Sequence, residues 1–203
     1  MQERWGMDGA AQKIEREDAG RAAARRRQVL TVASELFAAK GFEATSIRDI
    51  ATAAGMMSGS LYYHFASKED LYIAVQDASI SKIFNAVEKA IPGIADPWDR
   101  LEAAAIAHVD AMLDRSGFRV LVTPLFPPGL DKTVRDALVA QRDRFEQMID
   151  TVIAELPLPK SLDRRIFRQH YLGALNWIPV WCDPDGPVAP ADIVRQFMAT
   201  LRR

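Results

Sequence analysis

The groups in this chain that could do chemistry are three histidines, one cysteine, and a run of hydroxyl, phenol and basic side chains between residues 45 and 72. The histidines, His64, His108 and His170, fall on different predicted helices, with no metal-ligand spacing and no paired acid. Cys182 stands alone, so no internal disulfide forms, which suits a reducing compartment, and it reads as a partly buried small residue. The sequence holds no G-x-S-x-G elbow, no P-loop and no glycine-rich phosphate turn after a strand. No catalytic residue, metal site or cofactor is therefore expected. The run 45–72, TSIRDIATAAGMMSGSLYYHFASKEDLY, offers a different chemistry. Its Thr, Ser, Arg, Tyr, His and Lys side chains are hydrogen-bond donors suited to a phosphate backbone and to base edges.

Those donors need elements to present them. Ser46 and Asp49 have capping-box spacing, and Ile47, Ile50, Ala51 and Ala54 form an apolar stripe that Gly55 ends after two turns. A second short helix runs from Ser58 to about Phe65. Each is too short to be stable alone and must pack on a third. Residues 25–40 supply it: Arg25-Arg26-Arg27 opens a helix with Leu30, Ala33, Leu36 and Phe37 on one face, and Gly41 caps it in the left-handed conformation. This is a helix-turn-helix pattern, whose second helix enters the major groove.

The remainder also reads as helix, so the expected fold is all-α. A helix from Ser67, with a second capping box at Asp70, extends to Ile91 before Pro92-Gly93. Further helices are expected over 97–115, 117–122, 130–156, 162–178 and 191–201, with Pro179 ending or kinking the 162–178 helix. The division predicted is a flexible N-terminal arm (1–20), a helix-turn-helix domain (21–68) and a larger helical domain (69–203). The arm reading rests on mixed charge and on Gly6, Gly9 and Gly20.

Length, an apolar content of 49% and a charged content of 26% describe an ordinary globular protein that can bury a core unaided. No apolar run suits a membrane span, and MQERWGMDGA lacks a signal-peptide core, so a cytoplasmic protein without a membrane partner is expected. The net charge is −1, but residues 21–68 carry seven Lys/Arg against three Asp/Glu. That local positive charge is what a DNA footprint needs.

Phe37, Gly41-Phe42, Thr45, Ile47, Ile50-Ala51, Ala54-Gly55, Gly59, Leu61-Tyr62-Tyr63-His64-Phe65, Ser67-Lys68 and Leu71 together closely resemble the DNA-binding domain of the TetR family of repressors. The resemblance is strong over 25–75, and LYYHF followed by SK is its most specific part. It implies operator DNA as a partner. Thr45 and Ser46 would meet phosphate at a helix N-terminus. Tyr63, His64 and Lys68 would contact phosphates, and Met57, Ser58, Gly59 and Ser60, with Arg48, would face the bases. Of Leu61 and Tyr62, one is expected to pack inward; Tyr62 is kept among the DNA-contact candidates and Phe65 is assigned to the core. Met57 departs from the family pattern. It cannot cap a helix, so Ser58 is expected to take over the cap while Met57 touches a thymine methyl.

The resemblance further implies a homodimer through the helices 130–156 and 162–178, with Gly173, Ala174 and Trp177 near a two-fold seam. It also implies an effector pocket, for which Phe84, His108, Met112, Phe118, Leu121, Phe126 and Trp177 are candidates. The segment LGALNWIPVWCDPDGPVAPADI resembles a TetR subgroup linked to fatty-acid, sterol or acyl-CoA catabolism. A small apolar or acyl-CoA-like effector follows, with Arg119, Arg164, Arg165 and Arg168 as candidate phosphate ligands. Ligand binding would shift the 67–91 helix, and the loop between Pro92 and Pro97 would absorb the movement.

Overall fold

The computed structural model describes the backbone of residues 4–115, 118, 120 and 126–202, with side chains from residue 19. The described residues form eight helices and no strands: α1 (Arg4–Lys40), α2 (Ile47–Ala53), α3 (Ser58–His64), α4 (Lys68–Ala90), α5 (Pro97–Leu113), α6 (Lys132–Ala154), α7 (Arg164–Trp181) and α8 (Pro190–Leu201).

Local chemistry sets most helix ends. The Ser46 hydroxyl accepts from the Asp49 amide while the Asp49 carboxylate accepts from the Ser46 amide, completing the capping box of α2. Gly55 then takes φ 67°, and the Met56 amide reaches back to the Ala51 carbonyl at 2.9 Å, a Schellman closure that only a residue without Cβ adopts cheaply. Ser67 caps α4 through the Asp70 amide, Asp96 caps α5 ahead of Pro97, and Asp131 and Asp163 cap α6 and α7.

Two boundaries depart from expectation. α1 begins at Arg4 rather than at the arginine run. The segment before Arg25 holds no proline, and a glycine costs a helix about 1 kcal/mol without removing a hydrogen bond, so three glycines do not stop it. α7 continues through Pro179 to Trp181; Pro179 falls in the last turn, and the Cys182 amide still closes on the Ile178 carbonyl at 2.8 Å. The 117–122 helix expected from sequence falls mainly outside the described residues.

Two apolar clusters organise the molecule. The first gathers Val29, Ala33 and Phe37 of α1, Ile50 and Ala51 of α2, Leu61 of α3, Phe65, and Leu71, Tyr72 and Val75 of α4. Leu130 and the α6 residues Val134 and Leu138 also belong to it. The second gathers Ile83 and Val87 of α4, most of the inner face of α5, Phe145, Ile149 and Ile153 of α6, Tyr171 and Leu175 of α7 and Val194 and Met198 of α8. Both α4 and α6 therefore run through both clusters. Among the described residues, no helix is long and apolar enough to cross a membrane.

Candidate DNA interface and effector cavity

α3 has seven residues and is held by a single fully buried side chain, Leu61, with Phe65 just beyond its end. The rest of its surface faces outward: Met57 is 78% exposed, Tyr62 53% and Tyr63 87%. Gly59 and Ser60 are exposed and Ser58 is half-buried. Tyr63 and His64 stack edge to face at 5.3 Å. Arg48, on α2, is also exposed. These side chains form one polar and aromatic surface backed by α1. Two residues that sequence reading left unassigned hold it there: the Gln28 amide donates to the Ala54 carbonyl at 3.2 Å, and the Arg26 guanidinium lies 4.7 Å over the Phe65 ring.

The geometry corrects one expectation, the cap at Ser58, and gives three candidate DNA contacts partners within the chain. Thr45 is buried, and its hydroxyl donates to the Gly41 carbonyl at 2.7 Å and toward that of Leu36 at 3.3 Å, so its work is to close the α1–α2 turn. Ser46 spends its hydroxyl on the cap and donates to Asp49 as well. Hydrogen bonds from the Ser46 side chain, then its backbone, hold the Asp49 carboxyl below its ordinary pKa. Lys68 donates to the Phe42 carbonyl at 3.0 Å and sits 4.1 Å over the Phe42 ring, which ties α4 to the end of α1. Ser58 does not take over the cap: Met57 occupies the N-cap position of α3, without a side-chain hydrogen bond.

The other site is a cavity of about 740 Å³ between α4, α5, α6 and α7. Its apolar wall includes Ile80, Ile83, Met112, Phe145 and Leu172. Of the pocket candidates, His108, Met112, Phe126 and Trp177 line it. Phe84 does not; it packs against the second cluster instead. Phe118 packs against the first cluster, and its carbonyl accepts from Lys82 at 2.9 Å. Leu121 and Arg119 lie outside the described residues. Arg164 donates to the Ile153 and Leu156 carbonyls, Arg165 pairs with Asp163, and Arg168 pairs with Glu146 and Asp150. These three arginines brace helices and none lines the cavity.

Sequence reading missed the polar part of the lining: Gln76, Ser79, Gln141 and Asn176. The available signal was Gln141 itself, which interrupts the apolar stripe Val134, Leu138, Phe145 at helical spacing. His108 is 2% exposed, and its Nε2 stands 2.9 Å from Asn176 Oδ1. Burial drives its pKa down to about 4, against the opposing effect of the Asn176 hydrogen bond, so the ring is neutral.

Comparison with known proteins places both halves. Residues 29–75 match the model for bacterial regulatory proteins of the tetR family, and residues 95–203 match the tetracyclin repressor-like C-terminal domain. The HTH-type transcriptional repressor KstR2 of Mycobacterium tuberculosis is 28% identical over 193 residues, covering 90% of this chain and 94% of that protein. The HTH-type transcriptional activator FasR of Mycolicibacterium smegmatis is 37% identical over 98 residues, 48% of this chain and 45% of FasR. Among solved structures, AibR in complex with isovaleryl coenzyme A and operator DNA shares the fold at a TM-score of 0.75 and 23% identity, covering 87% of this chain and 97% of AibR. The structure of KstR2 of Mycobacterium tuberculosis aligns at a TM-score of 0.63 and 26% identity over 87% of this chain and 92% of that one. The family matches at both ends, the C-terminal one spanning more than half of the residues, establish that this chain belongs to the TetR family and is a transcriptional regulator, not an enzyme.

Proposed function

We propose that this regulator is a cytoplasmic, homodimeric repressor that leaves its operator when a small apolar or acyl-CoA-like effector fills the cavity. The observation that carries the reading is the outward surface of α3, where Tyr62, Tyr63 and Met57 stand in solvent around one buried anchor, Leu61. That is the profile of a helix presented to another molecule. Tyr63 and His64 would contact the backbone and position the protein, while Met57, Ser58, Gly59 and Ser60, with Arg48, face base edges.

The second subunit would dock on α7. Ile166, Trp177, Val180 and Trp181, each at least 57% exposed, share one stripe with Gly173. An apolar stripe of this size on a polar helix fits a two-fold seam. The outer face of α6, with Arg142, Asp143, Arg144 and Thr151, is polar, so α6 would contribute the rim and α7 the apolar centre. The two reading heads would then lie about one helical turn, or slightly more, apart on the duplex.

Coupling of the two sites would run through α4, whose first half supports α3 and whose second half lines the cavity. An effector that prefers the DNA-incompetent state by about 1.4 kcal/mol shifts the equilibrium roughly tenfold. Arg115 and Arg142, at the cavity margin, are exposed and only loosely paired, which suits them to the phosphates of a coenzyme A moiety. Repression draws support from the name of KstR2, whose match covers 90% of this chain. Fluorescence anisotropy on the promoter beside its own gene, with and without a panel of acyl-CoAs, tests the reading. Nanomolar binding that one acyl-CoA weakens at least tenfold is expected; protein that ignores the duplex at low salt overturns it. A reporter strain gives the sign of regulation.

A further inference from the structure

Two acceptor atoms in the cavity wall meet no donor among the described residues. The first is His108 Nδ1. Asn176 Oδ1 can only accept, so His108 Nε2 carries the ring proton and Nδ1 presents a bare lone pair. The second is Gln141 Oε1, on a side chain 7% exposed, whose Nε2 donates to the Ile73 carbonyl at 3.3 Å. A buried acceptor without a donor costs about 1–3 kcal/mol, and native proteins leave few such atoms unmet. Both residues line the same cavity, one from α5 and one from α6.

We infer that the effector carries a neutral hydrogen-bond donor, a hydroxyl or an amide N–H, that is received by His108 Nδ1, and that a second donor, where the effector has one, is received by Gln141 Oε1. This rests on the effector-cavity reading above and deepens it. A carboxylate at this place would bring acceptors to two acceptors, and a ketone would leave both unmet. An alcohol on an apolar skeleton satisfies one lone pair while its body lies against Met112 and Phe145, and the two amide N–H groups of a pantetheine arm offer one donor to each acceptor. Gln141 gives the contact a consequence. Its amide group holds the α4 backbone at Ile73, one turn before the segment of α4 that lines the cavity, so a donor drawn to Oε1 acts on the helix beneath the reading head.

The test uses the full-length protein labelled with [¹⁵N]histidine. The chain has three histidines, and His64→Gln and His170→Gln assign the His108 signals by elimination. The probes are 2-decalol, 2-decalone and S-butyryl-pantetheine. Acceptance of a hydrogen bond moves the His108 Nδ1 resonance upfield; the alcohol or the pantetheine is expected to do this and the ketone is not. The donor probes should also bind about tenfold or more tightly than the ketone, and Gln141→Met should narrow the advantage of the pantetheine, which carries a second donor. If Gln141→Met is unfolded by circular dichroism, the resonance on the wild-type protein decides alone. A His108 Nδ1 signal that none of the probes moves, or that the ketone moves equally, overturns the inference. Operator binding measured on the same sample stays intact in that case, which separates this failure from failure of the regulator reading.

Discussion

His108 Nε2 and Asn176 Oδ1, 2.9 Å apart, join the middle of α5 to α7 across the cavity. The pair holds a neutral imidazole that is itself almost fully buried. His108 is pushed down to about 4 by burial, whereas the unfolded chain takes up this proton near 6.5. The unfolded state therefore binds the proton first as pH falls. The stabilising contribution is complete above about 6.5 and disappears between there and about 4, reaching roughly 3 kcal/mol. Urea unfolding at pH 7.5, 5.5 and 4.5 checks this: the wild type should lose stability more steeply than His108→Gln, and parallel profiles would remove the imidazole from the account.

Tyr63 and Arg48 bury little, so removing them should leave folding within about 0.5 kcal/mol of the wild type. Their loss should instead appear in operator affinity. Arg48→Ala is expected to cost the operator about 1–3 kcal/mol more than a scrambled duplex at each salt concentration, because a base contact carries sequence information. Tyr63→Ala should weaken all duplexes by a similar factor, about tenfold, because a phosphate contact carries no sequence information. Anisotropy titrations at three salt concentrations measure both.

Thr45 makes the opposite prediction. Thr45→Val keeps the shape and removes a hydroxyl bound 2.7 Å from the Gly41 carbonyl. A stability loss of about 1 kcal/mol is expected by chemical denaturation, with the salt slope of operator binding unchanged. A reduced slope would return Thr45 to the DNA surface.

The α7 stripe is tested by charge. Ile166→Glu with Trp177→Glu places two carboxylates on an exposed apolar face, so the monomer should fold while its partner is repelled. Sedimentation velocity should show a dimer for the wild type and a monomer for the double variant, and the monomer should lose operator affinity by a hundredfold or about that much, since two linked heads bind far better than one.

What could be read from the sequence was local. Ser46 with Asp49, Gly41, Gly55 and the inward Phe65 of LYYHF announce themselves within a few positions, because caps, left-handed turns and short stripes are decided by neighbours. The misreadings needed a partner distant in the chain. Lys68 looked like a free cation until Phe42, 26 positions earlier, came to lie under it. Phe84 looked like pocket because periodicity does not tell a cavity wall from a filled core. The residues before Arg25 were read as a flexible arm on their mixed charge and three glycines, which without proline only weaken a helix.

Leu130, Val134 and Leu138 lie some sixty residues beyond the α3–α4 junction yet sit among the side chains that support the reading head. A fragment ending after α4 would leave that oily floor open to water and would not hold its shape. Grafting this head onto another member of the family would therefore require transplanting the start of α6 with it, and heating should melt the chain in one step rather than two.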